Sequence, residues 1–190
     1  MTSRDSPWES IFTRLNLHGH DFGESPFFIS SQQIKEATAH FTKTGQKEVR
    51  ILCYQAQRKD RPRVFMDRGL FLLPVKNGNY AIVKGEGYTD IPEIVSPPIV
   101  HSSRTSFELQ SHLVGNSEMQ HLDYAHATGM LEDFVGAGRL HLTIRGRKYT
   151  PGFSFRVGGT ELSVEGVQTE VDAGYEGKDC LVLVEGKNTN

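Results

Sequence analysis

The residue types best suited to chemistry stand near the end of the sequence: Asp172, then Glu185, Gly186 and Lys187 closing the run CLVLVEGK. In an extended strand alternate side chains share a face, so Glu185 and Lys187 point one way, and Glu170 lies on the face of Asp172. Asp172 and Glu185 are 13 residues apart, close enough to meet across a hairpin or at adjacent strand ends. Carboxylate oxygens are what a hard cation such as Mg2+ binds, with water and substrate phosphate completing its shell. A lysine beside them can orient an attacking water and neutralise charge building on a phosphate. The plainer reading of the same residues is a surface hairpin with weak cross-strand ion pairs.

Positioning these groups requires a strand ending at VQTEVD, a turn made by AGYEGKD, and CLVLVEGK returning as the partner strand. Upstream, Ser117 is the expected N-cap of a helix through SEMQHLDYAHATGMLEDF, with Met119, Leu122, Met130, Leu131 and Phe134 as its apolar positions and Gly136 as its stop. That places Glu118 in the first helical turn, where an acid also favours the helix dipole. Strand-like runs follow: RLHLTIRGRKY, with Leu140, Leu142 and Ile144 facing inward, then FSFRV and ELSVEGVQTEVD. In the first half, Trp8, Ile11, Phe12 and Leu15 recur at helical spacing. Ser30 or Ser31 caps a second helix presenting Ile34, Ala37, Thr38 and Phe41, and VRILCY (49–54) reads as a strand. GLFLLPV and YAIVKGEG form a hairpin around Asn77-Gly78, while Phe27, Phe28, Phe71 and Leu72 read as core. Pro92, Pro97 and Pro98 mark a soft boundary near residue 100. Helices first and mostly antiparallel strands after give an α+β class.

The 190-residue chain has ordinary globular composition and a net charge of −2. It holds no apolar run long enough for a transmembrane helix and no signal-peptide stretch at MTSRDSPWESIF, so a cytoplasmic protein without a membrane partner is expected. Cys53 and Cys180 sit in apolar runs and read as buried free thiols, and the scattered histidines lack zinc-site spacing. The small net charge hides an asymmetry: residues 43–68 carry +5, residues 139–148 carry four cations and no acid, and residues 161–187 carry −5. A polyanion such as double-stranded DNA would be met at Arg58, Lys59, Arg61 and Arg63, and at Arg139, Arg145, Arg147 and Lys148. Such runs are also ordinary solvated surface.

Asp172…Glu185-Gly186-Lys187 resembles the Asp…(Asp/Glu)-x-Lys signature of the PD-(D/E)xK nuclease superfamily. The surrounding words GVQTEVDAGYEG, LVLVEGKN and NSEMQHLDYAHATGML resemble a group of type II restriction endonucleases within it, and DRGLFLLPVKNGNYAIVKGEGY does so more loosely. Val171 stands where the superfamily often has proline. The resemblance implies a Mg2+-dependent, sequence-specific double-stranded DNA endonuclease. Asp172 and Glu185 would be metal ligands, Lys187 would assist the water, and Glu118 would join the site from its helix. It also implies an N-terminal α/β recognition-type region over residues 1–100 and a restriction-endonuclease-like core with a mixed or antiparallel sheet over residues 101–190. That core normally continues past the lysine, so the chain is expected to carry it only in part. A palindromic recognition site would imply a homodimer. Two other readings stand beside this one: a DNA-binding module or inactive fragment without catalysis, and an interaction domain with no nucleic-acid role.

Overall fold

Trp8, Ile11 and Phe12 fall on one face of helix α1 (Asp5–Arg14), and all three are fully buried. The computed structural model describes residues 3–90, 92–93, 95–97, 100–103, 105–106, 108–109, 111 and 115–186. Its contacts divide the chain into two units: Met1–Pro92 with Tyr149–Gln168, and Glu93–Lys148 with Thr169–Asn190. The single break near residue 100 that the prolines suggest is therefore three crossings, because a hairpin from the second half folds with the first.

In the first unit, strand β1 (Phe27–Ser30) runs into helix α2 (Ser31–Thr38). Ser30 accepts the Gln33 N–H and Gln33 answers the Ser30 N–H at 2.8 Å, a reciprocal cap. Helices α3 (Thr44–Lys47), α4 (Val49–Cys53) and α5 (Arg63–Arg68) follow. The hairpin β2 (Leu70–Lys76) and β3 (Asn79–Lys84) comes next, with Gly78 at φ 74° in its turn. The sheet order is β1-β3-β2, all antiparallel.

Alternation along these strands serves two cores. Ile29, Leu70 and Ile82 pack on the helices with Trp8, Phe12, Leu52 and Phe65. Phe71, Val75, Ala81 and Val83 pack on Leu162 and Val164, from the hairpin β5 (Phe153–Val157) and β6 (Thr160–Val164). Full burial of each such side chain contributes roughly 1.5–3 kcal/mol.

Two expectations change here. Residues 49–53 are helical rather than a strand: Val49 and Leu52, three apart, are buried, and the Leu52 carbonyl accepts the Trp8 indole N–H at 3.1 Å. One-sided burial against Trp8 overrides the β-branched composition. Phe71 is core, Phe27 and Leu72 are partly so, but Phe28 on edge strand β1 is 57 % exposed.

In the second unit, helix α6 (Glu118–Ala127) begins at Ser117, whose side chain accepts the Gln120 N–H. The expected long helix breaks at Gly129, left-handed at φ 80°, and resumes as α7 (Met130–Val135), ending at Gly136 at φ 68°. The sheet order is β4 (His141–Tyr149), β7 (Gln168–Glu176) and β8 (Leu181–Val184). Leu122, Leu140, Ala173 and Tyr175 form the core of this unit, with Val182 and Val184 against it. Leu142, read as inward, is 42 % exposed, because the buried face of the sheet is the one carrying Tyr175. ELSVEGVQTEVD is likewise two strands, parted by Gly166 at φ 63°. Ala173–Glu176, expected in a turn, continue β7 because Ala173 and Tyr175 are wholly buried. The turn lies further on, where the Gly177 N–H meets the Cys180 carbonyl at 2.9 Å.

Candidate active site

The β7–β8 ladder pairs Glu176 with Leu181, Tyr175 with Val182, Gly174 with Leu183 and Ala173 with Val184. The same register carried one step outward sets Asp172 opposite Glu185, and opposed residues of an antiparallel pair share a face. The pair is held beyond the ladder's end by a backbone bond: the Gly186 N–H donates to Asp172 Oδ2 at 2.7 Å. A carboxylate has lone pairs on both oxygens, so one such bond leaves acceptor capacity.

Glu118 comes to the same corner from α6. A Cβ built on Gly186 would lie 3.2 Å from Glu118 Cβ, 3.7 Å from Glu118 Cγ and 3.5 Å from Asp172 Oδ2. Asp172, Glu185 and Glu118, separate in sequence, are thus brought to one strand end. Lys187 lies outside the described residues.

Four hydrogen bonds from three side chains fasten α6 to the sheet and so place Glu118. The Arg145 guanidinium grips Asp123 with both terminal nitrogens, one bond at 3.2 Å. The Tyr175 hydroxyl donates to the Leu122 carbonyl at 3.4 Å, and His126 Nε2 lies 3.0 Å from the Leu140 carbonyl. The Arg145 hydrogen bond holds the Asp123 carboxyl below the usual range, and burial raises the Tyr175 phenol.

The donor chemistry fits Mg2+, which is commonly held by one or two carboxylates with water and substrate oxygens. Among the described residues, no group of three or more His, Cys, Asp and Glu is placed so as to hold a metal ion.

The expected phosphate contacts divide by environment. Arg61 is only 8 % exposed; it donates to the Arg58 and Leu70 carbonyls and lies 5.4 Å over the Tyr88 ring. Its Nε and Nη1 are thus engaged inside the fold. Arg58 is engaged by Glu86 at 3.2 Å and Asp90 at 2.7 Å, and Arg145 is committed to Asp123. Arg63 pairs with Asp67 at 3.4 Å and Arg147 with Glu170 at 3.6 Å, both at exposed positions where such pairs are weak. Lys59, Arg139 and Lys148 are exposed.

Sequence reading missed a chain of polar groups in the first unit. His18 Nε2 lies 3.1 Å from Glu9, and its Nδ1 lies 3.2 Å from Arg68. It borders an open groove of about 830 Å³ between α1 and α5 that Arg14 and His40 also line. No sequence spacing announces this grouping, since its members come from separate elements. Cys53 and Cys180 are free thiols. Among the described residues, no helix is long and apolar enough to cross a membrane.

The class these observations define is an α+β protein whose sheets are built from antiparallel pairs, with an acidic corner at the end of one of them. The chain belongs to the family described as "Domain of unknown function (DUF6997)", whose model matches residues 83–190. A second model, "Domain of unknown function (DUF6996)", matches residues 5–82. No curated protein matches the chain. No solved structure does so either.

Proposed function

We propose that this chain is a Mg2+-dependent endonuclease of the PD-(D/E)xK kind, cutting double-stranded DNA at specific sites as type II restriction enzymes do. The observation that carries the reading is the ladder register, which sets Asp172 against Glu185 at the strand end where Glu118 also arrives. When bound, a divalent cation would polarise the scissile phosphate and lower the pKa of a water. Asp172 and Glu185 offer the carboxylate oxygens that hold it. Glu118 supports the site from α6, and the Gly186 N–H fixes one oxygen of Asp172. Lys187, following on the Glu185-Gly186 backbone, is assigned to orient the attacking water and offset charge on the phosphate. Of the eight cations expected to meet DNA phosphates, Lys59, Arg63, Arg139, Arg147 and Lys148 are exposed, and Arg58 and Arg145 would join by leaving their carboxylates. A palindromic recognition site would be read by a homodimer.

The test is incubation with unmodified plasmid and phage DNA in Mg2+ or EDTA, alongside Asp172→Ala and Lys187→Ala. Discrete fragments that need Mg2+ and disappear in both variants are the expected result. Salt-dependent retention of DNA without cleavage would replace the enzyme by a binding module, and no retention at low salt would remove both readings.

A further inference from the structure

We infer that Gly186 is a positioning residue for the acidic corner: its missing side chain is the space into which Glu118 fits beside Asp172. The inference rests on the metal reading above and adds a requirement to it, that the middle residue of Glu185-Gly186-Lys187 be glycine in this chain.

Glycine is demanded for one of two reasons, a backbone conformation closed to other residues or a lack of room. The first does not apply. Nine other glycines, from Gly69 to Gly166, have positive φ, whereas Gly186 lies outside the left-handed region. Room is the reason that remains. An added methyl would sit 3.2 Å from Glu118 Cβ, inside the 3.5–4.0 Å at which carbon atoms rest. It would also touch Glu118 Cγ at 3.7 Å and Asp172 Oδ2 at 3.5 Å. The neighbours it meets are thus two of the three acids of the corner. Neither yields freely. Glu118 sits on a helix whose start is fixed by Ser117 and whose length is fastened through Leu122, Asp123 and His126. Asp172 is tied to Gly186 itself by the 2.7 Å bond, so a shift of this backbone moves the carboxylate with it. A methyl here displaces the acids relative to one another while leaving the cores of both units untouched.

The experiment is a Tb3+ luminescence titration of the full chain without DNA, comparing wild type, Gly186→Ala, Glu118→Gly and the double variant, with thermal melts of each. Gly186→Ala is expected to melt close to wild type and to bind Tb3+ roughly 10- to 100-fold more weakly, the range for disturbing the supports of metal ligands. In the Glu118→Gly background, which removes the Cβ that the methyl meets, the alanine is expected to cost nothing further. Where cleavage is measured, Gly186→Ala should lower kcat and raise the Mg2+ midpoint with little change in the KM for DNA. Wild-type Tb3+ affinity in Gly186→Ala, or an equal loss in both backgrounds, would overturn the inference while leaving the metal reading in place. A wild-type chain that takes up no Tb3+ would remove the metal reading and this inference with it.

Discussion

Arg61 and Cys53 show how little a residue's type decides without its surroundings. Arg61 sits in the most basic stretch of the chain, yet its guanidinium is spent on two backbone carbonyls and an aromatic face. Arg61→Ala would leave buried acceptors and packing unfilled and should destabilise the first unit by about 2 kcal/mol in a urea melt. DNA retention by the folded fraction should stay at the wild-type level, whereas a lost phosphate contact would lower the salt slope instead. Cys53 is mostly buried and its thiol is pushed up to about 12, chiefly by desolvation, with the Tyr80 side chain as its hydrogen-bond partner. The folded pKa lies above the unfolded value, so the neutral thiol's contribution to stability is complete below about pH 8.5. It falls away as pH rises through that value toward 12. Iodoacetamide at pH 9 should accordingly label Cys53 in urea and spare it in the native chain, as read by peptide mass. Equal labelling in both would refute the burial argument.

At the scale of elements, the decisive features are contacts at strand and helix ends. Strand β7 runs through Ala173–Glu176, where composition suggests a turn, because Ala173 and Tyr175 alternate onto a face that α6 covers. Gly174, on the other face, is buried with its Cα against Ile144 and Leu183. A Cβ there would stand 2.8 Å from Ile144 Cβ and 3.2 Å from Leu183 Cδ2. Gly174→Ala is expected to cost about 1–3 kcal/mol by overpacking the sheet, measured by chemical denaturation. An unchanged midpoint would show that β4 and β8 are not held this closely to β7. The same logic accounts for α4, where a β-branched run becomes helical because only a helix buries Val49 and Leu52 together beside Trp8.

Across the whole molecule, the chain's order is not the order of its units. The hairpin β5–β6 supplies Leu162 and Val164 to a core whose other half is Phe71, Val75, Ala81 and Val83, some eighty residues earlier. The boundary between the two matched families falls at residues 82 and 83, inside strand β3. Residues 1–92 expressed alone would therefore expose one face of the sheet β1-β3-β2. Strong binding of the dye ANS is expected, lost when the 149–168 hairpin is joined back through a short linker. A well-folded, ANS-silent fragment of residues 1–92 would count against a shared core.

The sequence by itself determined the elements whose signals are local. The α1 face appears in Trp8, Ile11 and Phe12, the caps in Ser30 and Ser117, the hairpin in Asn77-Gly78, and the opposition of Asp172 to Glu185 in their spacing. These rest on periodicity and on bonds between residues a few positions apart, so a short window contains their cause. Only the tertiary structure decided which arginines are surface and which are structural, since Arg61 and Arg145 owe their state to partners brought in by folding. It alone decided that Gly186 stands against Glu118, a meeting of residues 68 positions apart that depends on how α6 packs on the sheet. Long-range packing leaves no mark in a local pattern, because many sequences can bury the same face with different neighbours.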